Sequence, residues 1–266
     1  MPDGRTHDPR QGRYIVPALA RGIEVLELLA ASREAVAPSD MARALGIPRS
    51  TVFRLLQTLE AYGLIGRTEH GNAFRLAAGV TRLGFAWLAS LDVTEAGRAP
   101  LDALRDRTGH SCHLAVRDGA EAVVVLRAPG KGALTGSFSV GTRVPTHASV
   151  LGRMLLMDLS DAELRALFPA EPLRAFSPQT PTTLAALKAR IAEDRARGAG
   201  VSEGYFESGV SAVAAPVRDA TGRIVASINA TLFGGAKVTD PLVAEVKRAA
   251  AEISRALGHA EGEAAA

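Results

Sequence analysis

Cysteine is almost absent from this chain. Among 266 residues only Cys112 is a cysteine, so no internal disulfide can form, and this scarcity fits a reducing compartment. Long apolar runs are missing as well: no stretch is long enough to cross a bilayer, and the first residues lack the apolar core of a signal peptide. The composition therefore predicts a cytoplasmic protein with no membrane partner.

Motifs of catalysis and metal binding are also missing. The sequence has no glycine-rich phosphate loop, no Gly-x-Ser-x-Gly elbow, no His-Glu-x-x-His and no Cys-x-x-Cys, and its six histidines lack the spacing of metal ligands. Cys112 and His113 are neighbours on a predicted strand, so their side chains should point to opposite faces and not form a thiolate–imidazole pair. We expect no catalytic residue, no metal and no cofactor, and we interpret Cys112 as a small buried hydrophobe.

Lysine is missing from the first 76 residues, which contain ten arginines and eight acidic residues. Between Arg43 and Arg54 there are three arginines and no acid. The whole chain has a formal net charge of +3 and a pI of about 9.3, which indicates a polyanionic partner only weakly. The positive charge is instead local to one short segment.

That segment, Pro38–Gly63, has the pattern of two short helices joined by a tight turn. Ser39 stands at the expected N-cap of a helix Asp40–Leu45, and Gly46 supplies the positive φ of the turn. Pro48 begins a second helix with an apolar stripe at the 3.6-residue period, formed by Val52, Leu55, Leu56 and Leu59. Donor side chains stand largely off that stripe, at the N-terminal end of the second helix: Arg49, Ser50, Thr51 and Arg54.

This layout is typical of a helix-turn-helix, whose recognition helix presents its first residues to base edges in the major groove. An amphipathic helix at Pro17–Ala31 precedes it, and a hairpin with its turn near His70-Gly71-Asn72 follows it. The apolar face predicted for that first helix consists of Leu19, Ile23, Leu26 and Leu29 or Ala30. The alternative, a helical hairpin in an ordinary core, does not account for these flanking elements. The order predicts a winged helix-turn-helix domain that binds double-stranded operator DNA.

The predicted DNA contacts fall into three groups. Arg49, Ser50, Thr51 and Arg54 are expected to contact bases or phosphates. Ser39 and Arg43 are expected to support them at the DNA backbone. In the wing, Arg67 and Arg75 are placed to reach phosphates or a minor groove, although for Arg75 a solvated hairpin edge is an equally good interpretation.

The length of the chain favours two domains. We predict a disordered tail at 1–13, the winged domain at 14–76, a linker helix at 77–91, an effector-binding domain at 92–259 and a frayed tail at 260–266. The linker helix carries an apolar stripe with Leu83 and Trp87, which a second copy of the chain would bury. We therefore expect a homodimer or homotetramer.

The region 92–259 has the pattern of an α+β domain, with strand hairpins separated by helices. On its last predicted strand, Ser227, Asn229 and Thr231 share one face, which fits a solvated surface and the wall of a cavity equally well. The predicted helix after "RVPTHAS" adds weight to a cavity, because free N–H groups at Ser149, Val150 and Leu151 would bind a carboxylate.

The chain from about Tyr14 to Gly258 resembles the IclR family of bacterial transcriptional regulators. The stretches that carry the resemblance are "ALARGIEVLELLA", "ARALGIPRSTVFRLLQTLEAYGLI", "FRLAAGVTRLG", "VGTRVPTHASVLGRMLL", "TPTTLAAL…DRARG" and "GVSAVAAPVRDATGRIVASINAT". They follow the order and spacing of the family. The resemblance implies a winged helix-turn-helix, a linker helix and a GAF-like effector domain with an antiparallel sheet flanked by helices.

The resemblance also implies an effector site for a small organic acid. Its carboxylate would meet backbone amides of Val150 and Leu151 and polar side chains near Asn229 and Thr231. Two positions depart from the family pattern: Ser202 stands where an acidic residue is frequent, and Ala212, beside Ser211, stands where a cysteine is frequent. The residues that we predict to bind the effector are Ser149, Val150, Leu151, Ser202, Ser211, Asn229 and Thr231. Tyr205 and Phe206 of this sequence could bring aromatic contacts to the site. These changes are compatible with the carboxylate anchor, but they prevent the transfer of effector identity from relatives.

The sequence thus predicts a ligand-responsive transcription factor that is not an enzyme. Two alternatives stay open at this point. The second domain could be an enzyme that acts on a small carboxylate and is anchored to DNA by the first, although no nucleophile–base constellation supports it. A purely architectural DNA binder without an effector is the other, and the polar strand face argues mildly against it.

Overall fold

The computed structural model describes residues 14–32, 34–68, 72–130, 138–204, 206 and 209–260. The chain forms two compact units, residues 1–88 and 89–266. Several sequence-based predictions lie outside the described residues: the tail 1–13, nearly all of the tail 260–266, the wing turn at His70-Gly71, and Tyr205. The first part of the strand predicted within "KGALTGSFSVGTRVP" lies outside them as well.

The first unit consists of helices and a small two-stranded antiparallel sheet. Its elements are α1 (Pro17–Ala31), α2 (Pro38–Leu45), α3 (Arg49–Ala61), β1 (Ile65–Arg67), β2 (Phe74–Leu76) and α4 (Gly79–Ala89). The apolar stripe predicted for the second helix of the motif packs inward, because Val52, Leu56 and Leu59 are buried against Val25 and Met41. The predicted winged helix-turn-helix is confirmed.

The N-cap predicted at Ser39 is wrong. Helix α2 starts at Pro38 and its N-cap is Ala37, so Ser39 lies within the first turn and its side chain caps nothing. Proline at a first helical position explains the shift, since its fixed φ suits that position and it has no amide proton to satisfy. The glycine turn is confirmed: Gly46 ends α2 at φ 63°, in the left-handed region that glycine enters without steric cost.

The apolar stripe predicted for α1 is correct only in part. Leu29 is buried and Leu26 is partly buried against the core, but Leu19 and Ile23 are exposed, and Gly22 and Val25 are buried in their place. The helix carries apolar residues on more than one side, so periodicity alone cannot select the core face.

The second unit is built on a six-stranded antiparallel sheet with the order β5-β4-β3-β8-β7-β6. Its strands are β3 (Ser111–Asp118), β4 (Glu121–Ala128), β5 (Arg143–Pro145), β6 (Gly200–Glu203), β7 (Ser211–Arg218) and β8 (Ile224–Leu232). Its helices are α5 (Asp92–Thr108), α6 (Val150–Leu156), α7 (Asp161–Leu167), α8 (Leu184–Arg197) and α9 (Asp240–Ala256). The predicted α+β class is confirmed.

The two faces of this sheet are covered by different helices. Helices α5 and α9 pack together and against the central strands, whereas α6 lies on the opposite face beside α8. Because side chains alternate along a strand, each strand contributes to both layers. On β3, Cys112 points toward Thr108 of α5 and His113 points toward the α6 side, so the prediction that these two neighbours diverge is confirmed.

Local signals in the sequence locate most of the helix boundaries. The capping box of Ser160 and Glu163 is present at the start of α7, and Thr183 caps α8, which ends at Gly198. The sequence pattern predicts a helix over Thr94–Thr108, and the corresponding α5 begins two residues earlier, at Asp92, and continues through Pro100. The pattern also predicts a helix that starts near His147–Ala148, and the corresponding α6 begins at Val150, with Ser149 as its N-cap.

Within the described part of the chain, no helix has the length and apolar character needed to span a membrane.

Candidate functional site

The N-terminal end of α3 presents an exposed polar surface. Arg49, Ser50 and Arg54 are exposed and Thr51 is half-buried, while the apolar stripe of the same helix is turned into the core. The guanidinium groups of Arg49, Arg54 and Arg75 form no ion pair with any residue that the structure describes. Their charge is therefore available to an external anion.

Two other predicted DNA contacts are already engaged within the protein. Arg43 donates from Nη2 to Asp40 Oδ1 at 2.7 Å on the exposed side of α2. Arg67 makes a two-pronged ion pair with Glu60, at 2.8 and 2.9 Å, and its guanidinium lies 5.0 Å from the centre of the Phe74 ring. This pairing joins the wing to α3 and counts against the prediction that Arg67 reaches a phosphate.

Phe53 is a feature of α3 that the sequence interpretation missed. Its side chain is 61% exposed although it follows the buried Val52 directly. It lies near Arg49 and Ser50 on the helix surface, three or four residues along. The signal was present, since Phe53 falls outside the predicted apolar stripe.

The second unit contains a cavity between α6 and the sheet that is partly open to solvent. Six of the seven predicted effector residues line it: Ser149, Val150, Leu151, Ser202, Asn229 and Thr231. The remaining lining residues are His113, Phe138, Phe206, Val210, Ala212 and Phe233. Among these described lining residues none is cationic.

Ser211, the seventh predicted effector residue, does not line the cavity. Ala212 lines it and packs with Ala214 on the α6 side, so the alternation of the strand turns Ser211 to the other face. The prediction for Ser211 is wrong by one position along β7.

Ser149 lies at the cavity, but its polar groups are committed to the backbone. Its amide and its hydroxyl both donate to the carbonyl of Pro145, and the same hydroxyl accepts from the amide of Gly152 at 3.1 Å. The prediction of a free amide at Ser149 is therefore wrong. The next two amides, of Val150 and Leu151, lie in the first turn of α6, where no intrahelical acceptor exists.

Helix α6 is fixed tightly against its surroundings. Gly152 lies so close to the backbone of Thr146 that a Cβ atom there would be 2.2 Å from its Cα. Buried Arg153 donates to Asp194 of α8 at 2.8 Å and to the carbonyl of Val201 on β6 at 2.9 Å. These contacts tie α6 to α8 and to β6, the strand that carries Ser202.

A buried hydrogen-bond chain forms the sheet side of the cavity. The Asn229 Oδ1 atom accepts from the backbone amide of His113 at 3.1 Å and lies 3.1 Å from His113 Nδ1. The Asn229 Nδ2 atom donates to Thr231 Oγ1 at 3.1 Å. Because the Thr231 hydroxyl accepts this bond, its own proton remains for a ligand. Asn229 and Thr231 of the polar strand face predicted from the sequence are therefore in the wall of a cavity. Ser227, the third residue of that face, is not among the lining residues, and its hydroxyl donates to the carbonyl of Leu151 at 2.8 Å.

His113 and the phenylalanines Phe138 and Phe233 were not predicted as cavity residues. The rings of His113 and Phe138 meet edge to face at 5.7 Å, and Phe138 and Phe206 meet at 6.0 Å. His113 is paired with Asn229 across neighbouring strands, which the strand pattern alone does not specify. The phenylalanines lie outside regular elements, where periodicity gives no signal.

Burial determines the ionisation state of the two neighbours on β3, Cys112 and His113. It lowers the pKa of His113 to about 4; the hydrogen bond with Asn229 opposes this shift and the charge of Arg127 adds to it. Burial likewise raises the pKa of the Cys112 thiol to about 12. Near neutral pH His113 is therefore an uncharged imidazole and Cys112 an uncharged thiol. In the described residues no group of three or more His, Cys, Asp or Glu side chains is arranged to hold a metal ion.

Comparison with known proteins shows the family of this chain. The family model described as the C-terminal domain of the bacterial transcriptional regulator IclR matches residues 85–255, and the family model of the IclR helix-turn-helix domain matches residues 18–69. The chain belongs to the IclR family. It is therefore a DNA-binding transcriptional regulator with an IclR-type effector domain.

Curated IclR-family relatives are similar over nearly the whole chain. The HTH-type transcriptional regulator XynR of Escherichia coli is 29% identical over 249 residues, which cover 92% of this chain and 98% of XynR. The HTH-type transcriptional repressor AllR of Klebsiella pneumoniae is 30% identical over 91% of this chain and 90% of its own length.

Solved structures share the fold. A protein from Rhodococcus sp. RHA1, described as a transcriptional regulator on the basis of its sequence, superimposes with a TM-score of 0.80 at 32% identity, covering 91% of this chain and 98% of that one. An IclR homologue from Microbacterium hydrocarbonoxydans, solved in complex with 4-hydroxybenzoate, gives a TM-score of 0.80 at 26% identity over 90% and 98% of the two chains.

Proposed function

We propose that this protein recognises a specific operator in double-stranded DNA and that a small organic acid bound in the effector domain controls this recognition. The observation that carries the proposal is the pairing, in one chain, of an exposed arginine-bearing recognition helix with a cavity whose wall is a buried polar chain. A ligand controls DNA affinity only if it binds the two functional states of the protein unequally.

On the DNA side, α3 is the proposed recognition element. Arg49 and Arg54 are long donors of the kind that bind guanine or phosphate, and Ser50 and Thr51 add hydroxyl donors at the N-terminal end. Phe53 extends the proposed surface with an apolar side chain suited to a thymine methyl group. The engaged Arg67 supports the geometry of the wing, while Arg75 remains as the wing's candidate phosphate contact.

Two residues of the preceding helix have supporting roles in this proposal. Arg43 stands on the exposed side of α2, where its ion pair with Asp40 is an exposed one of little strength, so a phosphate competes with it. Ser39 lies in the first turn of the same helix, where its hydroxyl is placed for a backbone phosphate.

On the effector side, the proposed carboxylate anchor combines the amides of Val150 and Leu151 with the hydroxyl of Thr231. The amide group of Asn229 orients that hydroxyl. With no cationic side chain among the described lining residues, amide and hydroxyl donors have to hold the anion, as they do at other helix starts. The Microbacterium relative, which binds 4-hydroxybenzoate, supports an aromatic acid as the first compound to examine.

Oligomerisation is the third part of the proposal. The first unit leaves Leu19 and Ile23 of α1 and Leu83 of α4 exposed. A second copy that covers apolar side chains of this kind would also bring two recognition helices to two half-sites of one operator.

The effector part is tested by calorimetry with a set of organic acids. A binding acid should lose affinity by on the order of 10-fold in Asn229→Ala, because the Thr231 hydroxyl is no longer oriented. The matched control is Thr221→Ala in the β7–β8 turn, outside the cavity. Equal heats for the wild-type protein and Asn229→Ala would contradict the proposed site.

A further inference from the structure

His113 occupies an unusual position for a polar side chain. It is 1% exposed, it lies on a central strand, and its ring forms part of the cavity wall beside Phe138. Its pairing with Asn229 across β3 and β8 holds the ring from the strand side.

The hydrogen bonds around Asn229 determine which ring nitrogen of His113 carries the proton. The backbone amide of His113 can only donate, so the Asn229 atom that it meets at 3.1 Å is the oxygen. The same oxygen lies 3.1 Å from Nδ1. Since an oxygen acceptor requires a donor opposite it, Nδ1 carries the proton and Nε2 carries a lone pair.

The Nε2 atom is buried and has no hydrogen-bond partner among the described residues of the protein. Buried polar atoms without a partner are rare in folded proteins, and an occupant that leaves one unpaired binds less tightly. An occupant of this cavity therefore gains affinity when it presents a donor to Nε2.

We propose that His113 determines effector specificity by accepting a hydrogen bond at Nε2 from a hydroxyl group of the effector. The inference rests on the proposed organic-acid site and narrows its ligand class to hydroxylated carboxylates. The ring of Phe138 meets the ring of His113 edge to face, and Phe138 and Phe206 both line the same cavity, which suits an aromatic ring that bears the hydroxyl.

A carboxylate is a poor partner for the same nitrogen. A carboxylate oxygen has no proton to donate, and the imidazole is neutral near pH 7 because burial lowers its pKa. The acid group therefore remains at the proposed anchor of Val150, Leu151 and Thr231. Two parts of the cavity wall therefore bind the same ligand: His113 binds its hydroxyl group, and the proposed anchor binds its acid group.

Calorimetry on the full-length protein tests this with benzoate, its three monohydroxy isomers and the matching methoxybenzoates. At least one hydroxy isomer should bind about 10-fold or more tightly than benzoate, and its methoxy counterpart should not. In His113→Phe, which keeps a ring beside Phe138, this preference should fall below about threefold. His110→Phe, outside the cavity, should keep it. A preference that is absent in the wild-type protein, or that persists in His113→Phe, overturns the inference.

Aliphatic acids separate this inference from the proposed function. Acetate, pyruvate and hexanoate are titrated alongside the aromatic set. If carboxylates bind without any advantage for the hydroxyl, the role of His113 is refuted and the organic-acid site stands. If no carboxylate binds at all, both are refuted.

Nuclear magnetic resonance of protein labelled with ¹⁵N-histidine gives a second measurement that does not depend on the folding of His113→Phe. The His113 Nε2 signal of the wild-type protein should have the position of an unprotonated nitrogen, and the preferred hydroxybenzoate should shift it. A protonated Nε2, or a signal that stays in place when the hydroxybenzoate is bound, contradicts the inference.

Discussion

Single residues of the effector cavity show how one buried contact fixes the chemistry of its neighbour. The Asn229 side chain accepts a hydrogen bond from the backbone amide of His113. This one bond determines the orientation of the Asn229 amide group, and through it the tautomer of the His113 ring. The strand pattern predicted that Asn229 and Thr231 share a polar face. It did not predict His113, because the partner strand and its register arise from sheet assembly and not from local sequence.

The burial of His113 predicts a dependence of stability on pH. Its pKa is about 4 in the folded protein and about 6.5 in the unfolded chain, so between these values the unfolded state binds the extra proton. The free energy of unfolding should therefore decrease as the pH falls from 6.5 to 4, by up to about 3 kcal/mol from this residue. Urea unfolding followed by circular dichroism measures this at several pH values.

The variant His113→Phe isolates that contribution. His110 and His147 also have pKa values lowered by burial, and both remain in the variant, so the difference between the two proteins reports His113 alone. The decrease on acidification should be shallower in His113→Phe. Parallel pH dependences of the two proteins would refute a neutral buried His113.

At the scale of elements, most of the architecture could be predicted because its signals are local. Gly46 ends α2, the capping box starts α7, and an Asp-Gly turn joins β3 to β4. The predictions were wrong where one local pattern is compatible with two structures. Helix α1 has apolar residues on several sides, so more than one face could pack on the core. Ser211 and Ala212 are neighbours on a strand, so they lie on opposite faces, and only Ala212 lines the cavity.

The close packing of helix α6 predicts that even a small side chain at Gly152 destabilises the effector domain. Gly152→Ala would bring a methyl group to within 2.2 Å of the Thr146 backbone, which cannot be relieved by rotating a side chain. We expect it to destabilise the effector domain by about 1–3 kcal/mol and to weaken binding of any carboxylate. Thermal unfolding and calorimetry measure the two effects.

Gly84→Ala is the matched control, because a Cβ atom at this position in α4 meets nothing within 4 Å. It should be neutral or slightly stabilising, since alanine has the higher helix propensity. If Gly152→Ala is as well tolerated as Gly84→Ala, the close approach between α6 and Thr146 is refuted.

At the scale of the whole molecule, exposed apolar side chains point to assembly. Leu83 and Trp87 lie one turn apart on α4 and are 63% and 43% exposed. Such exposure on neighbouring turns of a helix is typical of a surface that another chain covers. In the proposed function this surface is a contact between two copies.

Leu83→Glu should therefore convert the oligomer to monomers, because an unpaired carboxylate in an apolar interface is costly. It should also weaken operator binding, since a monomer occupies one half-site only. Sedimentation or light scattering gives the mass, and a titration of labelled DNA gives the affinity. Thr81→Glu introduces the same charge at an exposed position on nearly the opposite side of α4, about 160° around the helix from Leu83, and should leave both unchanged. An unaltered mass in Leu83→Glu would contradict the proposed contact.

The most direct test of the central claim is a selection of DNA fragments by the protein. Sheared genomic DNA of the encoding organism is captured at low ionic strength by the wild-type protein and by Arg49→Ala and Arg54→Ala variants. The wild-type protein should enrich fragments that share one site with two related half-sites, and Arg54→Ala should bind that site more weakly by about 1–3 kcal/mol if Arg54 contacts a base. Enrichment of fragments without a common site, or equal enrichment by the arginine variants, would contradict recognition of DNA by the N-terminal end of α3.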